Sequence, residues 1–164
     1  MTAILPDFRG QPIEVLYRAG LLDTAGNAAH AATWIPRRLI VLEEALRETP
    51  REHDRILLHE LFHFVWVRLG NPRRLRWEEL LRRELAARAR GEAGWSAEWR
   101  KRALTARDVG SRTRRWREYC CESFCDTAAW RWSGEESEVT LARGRCRKRD
   151  DWFARELATR WLAI

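Results

Sequence analysis

Residues 59–63 read His-Glu-Leu-Phe-His, and they lie in the run Ile56 to Val67, whose other residues are all apolar. On a helix, positions four apart share a face, so the imidazoles of His59 and His63 can both reach one metal ion at ~2.0–2.1 Å. Glu60 projects from the neighbouring side, where a carboxylate can hold a metal-bound water and take its proton. A helix that is apolar all round is a buried one. Burying a glutamate beside two histidines is costly unless something pairs with them. A zinc ion meets that need and is the cofactor these residues imply. Composition alone would produce such a spacing in about one chain of a hundred.

Two histidines call for a third protein ligand. The other two, His30 and His53, lie upstream of the motif. Further along, Glu118, Glu122 and Asp126 follow one another at intervals of four, forming an acidic stripe on one helix face, and no basic residue lies between Arg117 and Arg131. Stacked like charges without a local cation are destabilising. A metal ion and its histidines would supply the missing positive charge.

His59-Glu60-x-x-His63 with Glu122-x-x-x-Asp126 downstream resembles the gluzincins, the thermolysin-like zinc peptidases, and especially the small single-domain minigluzincins. The resemblance spans about residues 38–132. It implies zinc bound by His59, His63 and Glu122, Glu60 as general base, and Asp126 hydrogen-bonded to a zinc-binding histidine, a contact that fixes the imidazole tautomer. Glu118-x-x-x-Glu122 fits the second motif almost as well, leaving Glu118 as the alternative third ligand; Asp126 is the better match to the family aspartate and favours Glu122. The interval between His63 and Glu122 is longer than in thermolysin-like enzymes, so an inserted helix pair must be accommodated. The oxyanion-stabilising histidine or tyrosine of the family has no matching motif, and Tyr119 and His53 are the candidates. The resemblance also implies a peptide or protein substrate lying against the edge strand before the motif helix, here Arg38–Leu42.

The elements that must position these residues are legible in part. Ile13–Tyr17 and Arg38–Leu42 lean to strand. Thr49-Pro50-Arg51-Glu52 reads as a capping box, with Thr49 as N-cap and Glu52 reaching back, opening a helix that Gly70-Asn71-Pro72 ends. Further helices are expected over about 72–90, with a buried stripe of Leu75, Leu80, Leu81 and Leu85, and over 95–106, 111–134 and 147–162. Residues 138–141 suit a short strand or an extended loop. The expected fold is α+β and mainly helical, a zincin-like single domain over 1–164 with a small N-terminal-side sheet packed on the motif helix.

Bulk composition sets outer bounds. The chain has 164 residues, 45% hydrophobic and 34% charged, which suits one globular domain. No apolar stretch approaches the ~20 residues of a membrane span. The first residues lack a secretory core, so a cytoplasmic protein is expected. Cys120, Cys121, Cys125 and Cys146 do not form a disulfide framework and read as small packing residues. The net charge of +7 permits nucleic-acid binding without demanding it. The dense stretches 112–117 and 143–149 read as solvated faces or as a functional basic patch. A non-catalytic or regulatory zinc domain, binding nucleic acid or a protein through this arginine-rich surface, is therefore the alternative to a peptidase.

Overall fold

A computed structural model describes residues 4–23 and 25–164. The protein is α+β and mainly helical. In chain order it has β1 (Asp7–Arg9), β2 (Glu14–Arg18), β3 (Ala31–Trp34), β4 (Leu39–Glu43), α1 (Pro50–Arg68), α2 (Asn71–Ala86), α3 (Trp95–Arg102), α4 (Ala106–Gly110), α5 (Arg114–Ser133), α6 (Arg143–Glu156) and β5 (Trp161–Ala163).

The three-stranded sheet has the order β2-β4-β3, with β2 parallel and β3 antiparallel to β4. Leu39–Leu42 is a strand, as its apolar run predicts. It is the central one, however, paired on both sides, which is why Ile40, Val41 and Leu42 are all buried. An edge strand at Arg38–Leu42 is thus ruled out. The free edge on that side belongs to β3, too short and mixed in polarity to stand out in the sequence.

Ile40 and Leu42 pack with Leu46, Ile56 and Phe64, seating the sheet on α1. The other face of α1 joins the main core with α2, α5 and α6, where Phe62, Trp77, Trp116, Phe124, Trp152 and Phe153 are almost fully buried. The motif helix is therefore sandwiched between two apolar layers. α2, α3 and α4 fill the long interval between His63 and Glu122.

Several local expectations are corrected. Thr49 does precede α1, but its side chain makes no cap bond; its hydroxyl donates to Leu46 O instead, and Glu52 lies 3.4 Å from His30. A 3-10 turn over Glu44–Glu48 leads straight into the helix and engages the threonine backbone, displacing the capping box. In α2, Leu75 is exposed, while Trp77 and Leu81 are buried beside the carboxylates Glu78 and Glu84. Residues 138–141 are not a strand: the Thr140 and Leu141 amides both donate to Glu92 O. The last helix spans Arg143–Glu156, and the chain then forms β5, parallel to β1. No helix among the described residues is long and apolar enough to cross a membrane.

Candidate metal centre

The packing of α1 against α5 brings the two motifs together. His59 Nε2 lies 3.2 Å and His63 Nε2 4.0 Å from Glu122 Oε2. His59 Nδ1 lies 2.8 Å from Asp126 Oδ1. The ligand atoms of His59, Glu60 and His63 all lie within 4.8 Å of one another. Glu60 Oε2 comes within 3.9 Å of His63 Nε2, and Glu122 Oε2 is within 4.0 Å of both rings. Glu60 instead accepts a 2.6 Å hydrogen bond from Thr33 Oγ1 on β3, which turns its carboxylate toward the strand edge.

Glu118 is not at the centre. It is exposed and paired with Arg114 one turn back on α5. The acidic stripe is therefore resolved residue by residue. Arg114 answers Glu118, His59 and the Arg100 guanidinium (Nη2 to Oε1, 3.4 Å) answer Glu122, and His59 answers Asp126. The second oxygen of Asp126 accepts from the Ala97 amide at 2.8 Å, in the first turn of α3.

One part of the site had no forecast from the sequence. Cys121 Sγ and Cys125 Sγ lie 3.4 Å and 3.6 Å from His63 Nδ1, so both thiols flank the ring on the side away from Glu122. These two cysteines do more than pack. Together with His63 they form a second group of donors able to hold a metal ion. The only available signal was their spacing: Cys121 and Cys125 are four apart, one position ahead of Glu122 and Asp126, hence on the adjoining face of the same helix. Cys120 and Cys146 are buried packing residues, and all four thiols are free.

The electrostatics fit a site built for a cation. Burial opposes the charged form of His59, yet the Asp126 carboxylate, then Glu122 and Glu60, lift it well above the usual imidazole range. Burial opposes ionised His63 too, but Cys121, Glu122 and Glu60 raise it to about 9. Glu122 is held at about 2, against the effect of burial, by the His59 hydrogen bond and the His63, His59 and Arg100 charges. The Cys125 hydrogen bond, against burial and with His63, brings Cys121 down to about 6, while burial pushes Cys125 up. Both imidazoles are thus pushed toward the charged form, and exchanging one proton on each for a dication would leave the net charge unchanged.

A cleft of about 350 Å³ opens at the centre, lined by His59, Glu60 and Asp126 and walled by Ala31 at the start of β3 and by Trp99 and Arg100 of α3. Neither oxyanion candidate lines it. Tyr119 is fully buried and donates to Glu92 Oε1, and His53 bonds Tyr17 OH near the start of α1. No protein-family model matches the chain, and no match was found among curated proteins or solved structures.

Proposed function

We propose that the protein is a zinc-dependent peptidase of gluzincin type, in which His59, His63 and Glu122 hold the metal and Glu60 is the general base. The observation that carries this reading is the convergence of the two Nε2 atoms on Glu122 Oε2 at 3.2 and 4.0 Å. Ligands of a tetrahedral zinc at ~2.05 Å lie ~3.3 Å apart, which the His59 contact already matches and the His63 contact approaches. The donor types, two imidazoles and one carboxylate, are those of a catalytic site that leaves a position open.

Zinc, when bound, supplies a Lewis acid and lowers the pKa of water. The chain's own residues do the rest. Asp126 holds the His59 tautomer, with Nδ1 protonated and Nε2 free to ligate. Glu60, steadied by Thr33, takes the proton of the attacking water and delivers it to the leaving amine. The outer edge of β3, unpaired among the described residues, offers main-chain groups to an extended peptide. The exposed rings of Trp95 and Trp99 stand ready for its side chains.

The alternative, a zinc domain binding nucleic acid, rests on the +7 charge. It is the weaker reading because many arginines are already engaged: Arg76 with Glu156, Arg112 with Glu78, Arg102 with Glu98, and Arg149 inside the core.

Metal analysis and a peptide-library digest test the proposal. One zinc per chain, with hydrolysis abolished in Glu60→Gln while zinc is kept, is expected. Protein that binds no zinc, or a Glu60→Gln variant as active as the wild type, would refute it.

A further inference from the structure

A peptidase of this kind needs a donor for the carbonyl oxygen, and both candidates from the sequence stand outside the cleft. Arg100 stands inside it. Among the described residues it is the one arginine or lysine within 4 Å of the Glu60, Glu122 or Asp126 carboxylates. Its fork is held from three sides. Nη1 donates to Ser96 O at 2.9 Å, Nη2 lies 3.4 Å from Glu122 Oε1, and the guanidinium carbon stacks 4.2 Å from the Trp99 ring centroid. Each terminal nitrogen carries two protons, so one on each is left uncommitted by these contacts.

The placement is specific. Glu122 turns Oε2 to the histidines and Oε1 to Arg100, so the guanidinium stands across that carboxylate from the two imidazoles. The other basic side chains that line the cleft are engaged elsewhere: Arg55 with Glu138 at 2.9 Å and His30 with Glu52 at 3.4 Å. A preset donor aimed at developing charge costs no reorganisation during reaction. An arginine also stays protonated at any working pH, unlike a histidine or tyrosine.

We propose that Arg100 is a catalytic residue that donates to the carbonyl oxygen of the peptide under attack; this rests on the peptidase reading above. Water's oxygen bonds to the carbonyl carbon, the π pair moves onto the carbonyl oxygen facing Arg100, and Glu60 takes the water's proton. The pair then re-forms C=O as the C–N bond breaks, and the Glu60 proton goes to the amine nitrogen.

Arg100→Gln and Arg100→Lys, compared with the wild type, test this with three readouts: kcat and KM on a fluorogenic peptide, affinity for a dipeptide phosphonate as a tetrahedral anion, and zinc affinity by chelator competition. In Arg100→Gln, kcat should fall about 10²–10³-fold with KM nearly unchanged. Phosphonate affinity should fall in parallel, and zinc affinity should change less than about tenfold. Arg100→Lys should regain part of kcat, since the charge returns without the fork. An unchanged kcat, or zinc loss that accounts for the whole defect, would overturn the role of Arg100 while leaving the peptidase standing. Absence of any zinc-dependent turnover in the wild type would overturn both.

Discussion

Gly94 and Asp126 are in such close contact that a Cβ on the glycine would stand 2.5 Å from the aspartate's carboxyl carbon. The glycine backbone is extended, so the requirement is space rather than an unusual φ. Its bareness lets the first turn of α3 bring the Ala97 amide to Asp126, whose other oxygen holds His59.

Replacing that glycine should therefore be felt at the metal. Gly94→Ala must push away either α3 or a carboxylate fixed at both oxygens. A loss of about 1–3 kcal/mol in stability is expected, with zinc affinity reduced as well. Thermal unfolding with and without zinc measures both. Affinity equal to the wild type would show that Asp126 is not tied to α3.

The third ligand can be decided by comparing three alanine variants. Glu122→Ala should lose zinc almost entirely, Asp126→Ala should weaken it about 10–100-fold, and Glu118→Ala should retain it, since Glu118 is exposed and paired with Arg114. Equilibrium competition against a chelator ranks them. Zinc loss in Glu118→Ala would invalidate the observed register of α5 against α1.

Cys121 occupies, for His63, the place that Asp126 holds for His59. Cys121→Ala should weaken zinc binding about 10–100-fold, as loss of a ligand's supporting partner does. Cys146→Ala, on α6 and away from both histidines, should leave it unchanged. Equal zinc affinities in the two variants would reduce Cys121 to a packing residue.

A buried ion cluster should set the acid limit of stability. Arg149 is fully buried between Glu84 and Glu92, at 2.7 and 2.6 Å, with Lys101, Tyr119 and Ser123 also on Glu92. Burial works against the Glu92 carboxylate, but the charge and hydrogen bond of Arg149, with Lys101 and the Tyr119 hydroxyl, together outweigh it and hold it at about 2, below its usual 4.5. A depressed carboxylate binds fewer protons folded than unfolded, so its stabilisation is complete above pH ~4.5 and is lost as pH falls toward 2. Denaturant titrations at stepped pH should show that decline, and it should be shallower in Glu92→Gln. An identical slope in the variant would remove Glu92 as its source.

The sequence was most legible where pattern and chemistry coincide. The apolar run 56–67 with two histidines one turn apart marks both a buried helix and a donor pair, and both are present. The acidic stripe on α5 pointed to the helix that packs its carboxylates beside the histidines, because four-residue spacing survives any tertiary arrangement. Partners that come from elsewhere were not legible. Arg100 and Ala97 reach the stripe from α3, and Thr33 reaches Glu60 from a four-residue edge strand. Strands of three or four residues carry too little periodicity to read, so β1, β3 and β5 were missed and β4 was given an edge instead of the centre. Arg149 misled for a related reason. In a stretch dense with arginine, nothing local marks the one whose glutamate partners are 57 and 65 residues away.

The pairing of β1 with β5 has a consequence for the order in which the molecule is made. Phe8 packs edge-to-face on Phe62, at 5.9 Å between centroids, and Leu162 is buried in the same cluster. The wall behind the histidine helix is thus shared by a strand that precedes every helix and one completed more than 150 residues later. On a ribosome, β1 waits unpaired while every helix emerges. Contacts this distant in sequence slow folding, so the helices that carry the histidines and Glu122 can meet before the strand clip behind α1 has closed.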